Sequence, residues 1–363
     1  VIMADAQRTG MQAFHYDLPP GLIAQEPLAD RSGSRLLLLP RNTGVPEHHQ
    51  FSDLPNLLEP GDLLVVNDTR VHPARLAGRR QTGAEIEILL LRELGAETWR
   101  TLIRPWRRLR EGEWVVIRSR SGNTESGATI LEKLPEGEAV VRLDPAVQKS
   151  LGAYGGVPLP PYINHQLDND ERYQTVYAER PGSSAAPTAG LHFTPQLFEQ
   201  LAGRGIVLAV VTLHVGLDTF RPVTSEFAED HRIHSEWCRV PEATVRAIGD
   251  ARERGGKVIA VGTTTTRTLE SFGQAWDGSR VEAFEGMTDI FITPGFEWKI
   301  TDGLITNFHL PRSTLLLMVS SLVGRERLLD AYQEAIGRQY RFFSFGDAML
   351  ILPRKGTTPE SPR

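Results

Sequence analysis

Residues 72–152 show almost no helical periodicity, although the sequence on either side of them does. The block instead breaks into short runs at 85–91, 99–104, 113–117, 128–134 and 138–143, separated by glycines and turn clusters such as Ser121-Gly122-Asn123. Alternation of apolar and polar side chains suits strands with one face in a core, so the block reads as a small antiparallel barrel or sandwich. The flanking sequence reads differently. The run 206–215 is continuously apolar, as in a strand lying centrally in a sheet. Residues 243–254 have the spacing of an amphipathic helix, stopped by Gly255-Gly256 and followed by a strand at 257–262. Strands also fit 62–67, 289–293 and 304–308, and helices fit 313–322 and 326–336. The expected fold is α/β: a larger α/β sandwich domain, discontinuous over 12–71 and 153–354, carrying the inserted small antiparallel β-barrel domain of 72–152. Pro158-Leu159-Pro160-Pro161 reads as a stiff linker, 164–190 as a long, partly mobile loop near the site, and 355–363 as a disordered tail.

A chain of 363 residues with 40% hydrophobic residues can bury the core that such an arrangement needs. No apolar run approaches the roughly 20 residues that span a bilayer. The longest candidate, 315–323, contains Ser320 and Ser321, and the first ten residues lack the apolar middle of a secretory signal. A soluble, cytoplasmic protein is expected, with no membrane partner and as a monomer. Cys238 is the single cysteine, which rules out an internal disulfide and a zinc–cysteine cluster. The net charge of −5 argues against non-specific coating of nucleic acid, yet it leaves room for a local basic face. Arg100, Arg104, Arg107, Arg108 and Arg110 crowd one stretch with Trp99 and Trp106, a pairing suited to phosphate contact and base stacking. A solvated strand edge would read the same way.

Several apolar runs end abruptly in polar residues. The first, from Asp62, leads into Asn67-Asp68-Thr69-Arg70, as where a strand reaches a cleft; a turn in which Asp68 pairs with Arg70 fits equally. The 206–215 run reaches His214-Val215-Gly216-Leu217-Asp218, and His231, His234 and Glu236 follow on an extended stretch. His234 and Glu236 are two apart and share a face of a strand. Acid–base work suits them, structural hydrogen bonding is the alternative, and without a recognised ligand spacing no metal is expected. A third run passes through Gly262 into Thr263-Thr264-Thr265-Thr266-Arg267, where the free amides of a helix start can receive an anion. A fourth ends in Thr306-Asn307-Phe308-His309 before a helix from Ser313. Between them, Gly190 and His192 precede Thr194-Pro195, a hydroxyl cap and a proline at the first helical position, with Leu197, Phe198 and Leu201 at helical spacing. No cysteine nucleophile, GxSxG elbow, Walker loop or GxGxxG turn occurs, which disfavours ordinary hydrolases, nucleotide kinases and dehydrogenases.

These segments together closely resemble the S-adenosylmethionine:tRNA ribosyltransferase-isomerase family of queuosine biosynthesis. The matching text includes Tyr16-Asp17-Leu18-Pro19, Leu22-Ile23-Ala24-Gln25, Ser34-Arg35-Leu36-Leu37, Asn67-Asp68-Thr69-Arg70-Val71 and Thr82-Gly83-Ala84-Glu85-Ile86-Glu87. It continues through 187–194, 213–220, 262–267 and 306–311, so the resemblance spans about 14–352. The leader 1–13 departs from it and reads as an extension, with Met11 as an alternative start. The resemblance implies transfer of the ribosyl part of S-adenosylmethionine onto 7-aminomethyl-7-deazaguanine at the tRNA wobble position, giving epoxyqueuosine, adenine and methionine. S-adenosylmethionine is then a consumed co-substrate, with no separate cofactor. On that footing the proton-transfer groups are expected among His192, His214, His231, His234 and His309, with Asp218 or Glu236 orienting an imidazole or stabilising sulfonium charge. Thr264, Thr265 and Arg267 are expected to hold the methionine carboxylate or a tRNA phosphate, and Gly190 to allow close substrate approach. Asn67, Asp68, Arg70 and Asn307 are further substrate-binding candidates, and Arg104, Trp106, Arg107 and Arg108 are candidate tRNA contacts. The rival readings are an S-adenosylmethionine-dependent RNA methyltransferase and a non-enzymatic RNA-binding protein.

Overall fold

The computed structural model describes residues 8–122, 125–165, 167–216 and 225–353, so Asp218 and the 355–363 tail lie outside the described residues. The main body is a mixed nine-stranded sheet. From edge to edge its strands are Phe284–Thr288, Glu236–Val240, Val207–Leu213, Leu63–Asn67, Val258–Val261, Gly303–Asn307, Ala348–Leu352, Arg35–Pro40 and Glu47–Gln50. The third to sixth of these are parallel to one another. Their carboxyl ends therefore open along one edge, the place where open α/β sheets take ligands.

Period-two alternation sends Leu63 and Val65 to one face of the sheet and Leu64 and Val66 to the other. Helices Glu242–Glu253, Thr263–Ala275, Thr314–Val323 and Arg325–Gly337 contribute to the first core. Helices Leu54–Leu57 and Pro195–Gly203 cover the second face. A fully buried Leu or Val stabilises by about 1.5–3 kcal/mol, and both faces are rich in them. The 195–203 helix begins as its sequence dictates: Thr194 Oγ1 accepts the Leu197 amide at 3.1 Å, and Pro195 occupies a position that needs no donor.

The second body is a closed antiparallel barrel of Arg75–Arg80, Glu85–Gly95, Thr98–Arg104, Glu138–Leu143, Glu125–Lys133 and Trp114–Arg118. The last strand returns to the first, with Gly78 opposite Ile117. Only glycine fits there, because a Cβ on residue 78 would overlap the Val116 carbonyl. The barrel has its own core around Leu76, Ile88, Ile103, Val115 and Val141. It falls in the chain between two paired strands of the main sheet, 63–67 and 207–213.

Three expectations are corrected. Residues 289–293 are not a strand; the edge strand is Phe284–Thr288, because the ladder ends where Glu236 pairs with Thr288. Beyond it the chain turns inward, burying Ile292 and offering the Ile290 carbonyl to Arg267. The 207–213 strand is central only over its second half, since the antiparallel neighbour pairs with Thr212 and Leu213 alone, leaving Val207 and Leu208 exposed. The 164–190 segment lies at the cleft as expected, where residues 185–189 form part of the lining, but its described residues are tied down rather than loosely held. Within them Arg180–Ser183 pairs with Thr69–Val71, Tyr173 is fully buried, and Gln174 bonds both the amide and the carbonyl of Val71, at 3.1 and 2.7 Å.

Candidate active site

A cleft of about 230 Å³ lies at the carboxyl ends of the parallel strands. The 258–261 strand contributes Gly262, Thr263 and Thr264 to its wall, and the 303–307 strand contributes Thr306, Asn307, Phe308 and His309. Gly262 takes φ 87°, a left-handed conformation that suits glycine, and so turns the strand directly into the 263–275 helix. The first amides of that helix have no partner in the preceding turn and present partial positive charge to the cleft. Of the threonines that follow, Thr265 and Thr266 bond back to the carbonyls of Val261 and Gly262, at 2.6 and 3.1 Å. Thr265 is therefore part of the helix interior and does not line the cleft.

His309 is the imidazole of this cleft. Its Nε2 hydrogen-bonds the Thr306 hydroxyl at 2.7 Å, and its backbone is held at both ends, the amide by the Tyr332 hydroxyl at 2.9 Å and the carbonyl by the Tyr16 hydroxyl. Burial lowers its pKa to about 3, so it is uncharged at neutral pH. Asn307 accepts the Thr188 hydroxyl at 2.8 Å and faces the cleft beside it.

Glu236 and Arg267 form a buried ion pair under an adjoining recess, which also contains His231 and His234 and meets the cleft at Thr314 and Leu315. Glu236 also accepts the Gly216 amide at 2.8 Å, and Arg267 reaches the backbone carbonyls of His234, Thr288 and Ile290. Arg267 is thus already matched by a carboxylate, which disfavours it as the holder of a substrate carboxylate.

Residues 11–351 match the model of a family described as Queuosine biosynthesis protein. The chain belongs to this family. Among its relatives, the S-adenosylmethionine:tRNA ribosyltransferase-isomerase of Staphylococcus saprophyticus is 49% identical over 94% of this chain and 99% of that protein. The enzyme of the same name from Acetivibrio thermocellus is 50% identical over 93% and 98%. A crystal structure of an S-adenosylmethionine tRNA ribosyltransferase from Thermotoga maritima superposes with a TM-score of 0.54 at 40% identity, covering 94% of this chain and all of that one. The protein is a transferase of queuosine biosynthesis. No helix among its described residues is long and apolar enough to cross a membrane.

Other candidates of this queuosine-family chain lie behind the walls of the cleft. His192 stacks on Phe51, hydrogen-bonds Ser34 at 2.7 Å and touches Asn307 from the rear; burial, reinforced by the positive charge of Arg341, lowers its pKa to about 4. His214 stacks on Trp237 and bonds Thr69 at 2.8 Å, and burial lowers its pKa. Asn67 is fully buried, bonding the amide and carbonyl of Leu213 and the Thr264 hydroxyl. Asp68 accepts the Thr212 hydroxyl at 2.6 Å and pairs with Arg180, while Arg70 pairs with Glu171 and not with Asp68. Gly190 gives close approach to a side chain, not a substrate: a Cβ there would overlap the Tyr177 hydroxyl.

In the barrel, Arg104, Trp106, Arg107 and Arg108 line one groove, with the three arginines exposed. Trp99 is excluded from stacking, being buried and bonded to Gln148.

Sequence reasoning missed the far wall of the cleft: Tyr162, Arg312, Phe343 and Ser344. The Tyr162 ring packs 4.9 Å from that of Phe343, and its hydroxyl bonds Ser344 at 2.6 Å. Arg312 and Phe343 both take positive φ, 53° and 69°, a strain that tends to gather at functional sites. The only trace in the sequence is the aromatic cluster Phe342-Phe343-Ser344-Phe345, which has no period that marks a strand or helix.

Proposed function

We propose that this chain transfers and isomerises the ribosyl moiety of S-adenosylmethionine onto 7-aminomethyl-7-deazaguanine at the tRNA wobble position, yielding epoxyqueuosine-tRNA, adenine and methionine. S-adenosylmethionine is consumed as a co-substrate, and no separate cofactor takes part. The observation that carries this reading is one cleft that joins the start of a helix, an uncharged imidazole and an aromatic wall. The amides at Thr263 and Thr264 suit the methionine carboxylate. Tyr162 and Phe343, their rings inclined at 49° to each other, give that wall an aromatic, apolar lining suited to contact with a purine.

The sulfonium acidifies the adjacent ribose carbon, so loss of a proton there starts the departure of adenine. A neutral imidazole can donate a hydrogen bond from one nitrogen while the other is engaged, which suits His309 to adenine as it leaves, and its low pKa disfavours it as a proton store. Proton transfer is assigned to His234, exposed and lining the adjoining recess. The arginines of the barrel groove, with Trp106, contact the tRNA, and the enzyme works in the cytoplasm as a monomer.

Incubation with S-adenosylmethionine and tRNA bearing the aminomethyl-deazaguanine tests this. Free adenine and methionine, released in step with a heavier wobble nucleoside, is the expected result. S-adenosylhomocysteine in their place would mean methyl transfer, and binding without turnover would mean an RNA-binding protein.

A further inference from the structure

Behind the cleft lies a recess lined by Arg31, Arg172, Ser34, His192 and Ser344. Ser344 also lines the cleft, so the two spaces share a wall. The arginines of this region divide into two sets. Arg120 of the barrel pairs with Asp170, and Arg70 pairs with Glu171. Arg31 and Arg172, in contrast, are held by backbone carbonyls: Arg31 by those of Leu191 (3.1 Å) and Glu171 (2.8 Å), Arg172 by those of Ala29 (3.2 Å) and Leu28. Glu171 is the acidic side chain that acts on Arg31, and Arg70 already engages it. Arg341, outside the lining, adds a third positive charge felt at His192; its guanidinium donates to the Glu26 carbonyl and its buried Nη1 has no partner, while the Asp347 carboxylate, which pairs with Arg35, also acts on it. Carbonyls orient guanidinium groups without neutralising them, so Arg31 and Arg172, with Glu171 shared between Arg31 and Arg70, leave this wall with an excess of positive charge.

We propose that this recess is an anion site that seats one backbone phosphodiester of the RNA substrate, beside the nucleotide held in the cleft. The inference rests on the ribosyl-transfer reading for its choice of ligand. The enclosed space is about 20 Å³, room for one or two oxygen atoms and far too little for a nucleoside. The two non-bridging oxygens of a phosphodiester, with its ester oxygens, sugar and base remaining outside, match that space. Planar guanidinium forks and two hydroxyls match its oxygens.

The test measures binding of unmodified tRNA by the full-length protein across a KCl series. Arg172→Gln should weaken binding by about tenfold and lower the slope of log Kd against log salt by roughly 0.7–0.9, the loss of one phosphate contact. Arg341→Gln, which leaves Arg31 and Arg172 in place, should act in the same direction. Arg246→Gln removes the same charge from an exposed helix, where Arg246 pairs with Glu242, and should alter neither quantity. Melting curves identify any variant that has merely unfolded. Unchanged affinity and slope in folded Arg172→Gln and Arg341→Gln proteins would overturn the proposal. So would binding of inorganic phosphate that Arg172→Gln abolishes while tRNA affinity stays intact, since that marks a free-anion site. Adenine release by the unaltered protein is assayed separately, so failure of the ribosyl-transfer reading shows there and failure of the phosphate site shows only in the binding series.

Discussion

His309, His192 and His72 illustrate how burial decides what a side chain can do. Each has its pKa lowered from 6.5 to about 3 or 4, chiefly by burial. Between those values and 6.5 the unfolded chain binds protons that the fold does not, so stability is intact above about pH 6.5 and falls as pH drops toward 4. Urea midpoints at pH 7.5 and pH 5 should differ accordingly, and His192→Gln should flatten the dependence. His309→Ala, which removes the hydrogen bond to the leaving group, should lower turnover by about 10²–10³-fold, checked by adenine release at saturating co-substrate. The Glu236–Arg267 pair predicts a different result. Glu236→Ala leaves a buried guanidinium uncompensated and should cost about 3–5 kcal/mol, read by denaturant unfolding, whereas replacing both partners by apolar residues should cost much less.

At the scale of elements, the short 188–192 turn is held against Tyr177 by the absence of a side chain at Gly190. Gly190→Ala should destabilise by about 1–3 kcal/mol through overpacking, and adding Tyr177→Phe, which removes the clashing hydroxyl, should recover part of that loss in thermal melts. The start of the 195–203 helix was legible in Thr194-Pro195 because a cap is a local hydrogen bond. The false strand at 289–293 was not avoidable by the same reasoning. Its middle residues, Ile290, Phe291 and Ile292, are apolar, but where a ladder ends depends on the partner strand, here the single residue Glu236. The anchoring of Tyr173 and Gln174 within 164–190 was likewise hidden, because both residues hold the segment through contacts far away in sequence.

For the whole molecule, closure of the barrel through Gly78 and Ile117 makes a rigid platform for Arg104, Arg107 and Arg108. Replacing all three by glutamine should weaken tRNA binding and lower its salt slope by roughly two, with the melting temperature little altered because these side chains are exposed. An unchanged salt slope would remove the barrel groove from the RNA path. The split between a barrel and an α/β body was readable because strand and helix periods differ, and that contrast persists over dozens of residues.

The sequence alone determined the family, through motifs that resemble it over about 14–352, and it determined the α/β class, the barrel and the four polar strand ends, since long runs of apolar residues breaking into polar ones carry that information locally. Thr264, Asn307 and His309 were found that way, at the carboxyl ends of adjacent parallel strands. Tertiary structure alone decided which of the remaining candidates face the cleft. It turned Thr265 into its helix, matched Arg267 with Glu236, placed His192 and His214 behind the walls, and brought Tyr162 and Phe343 across from distant segments. The physical reason is that a residue's period and neighbours fix its local conformation, whereas its exposure, charge and hydrogen-bond partners depend on chain segments more than a hundred residues away.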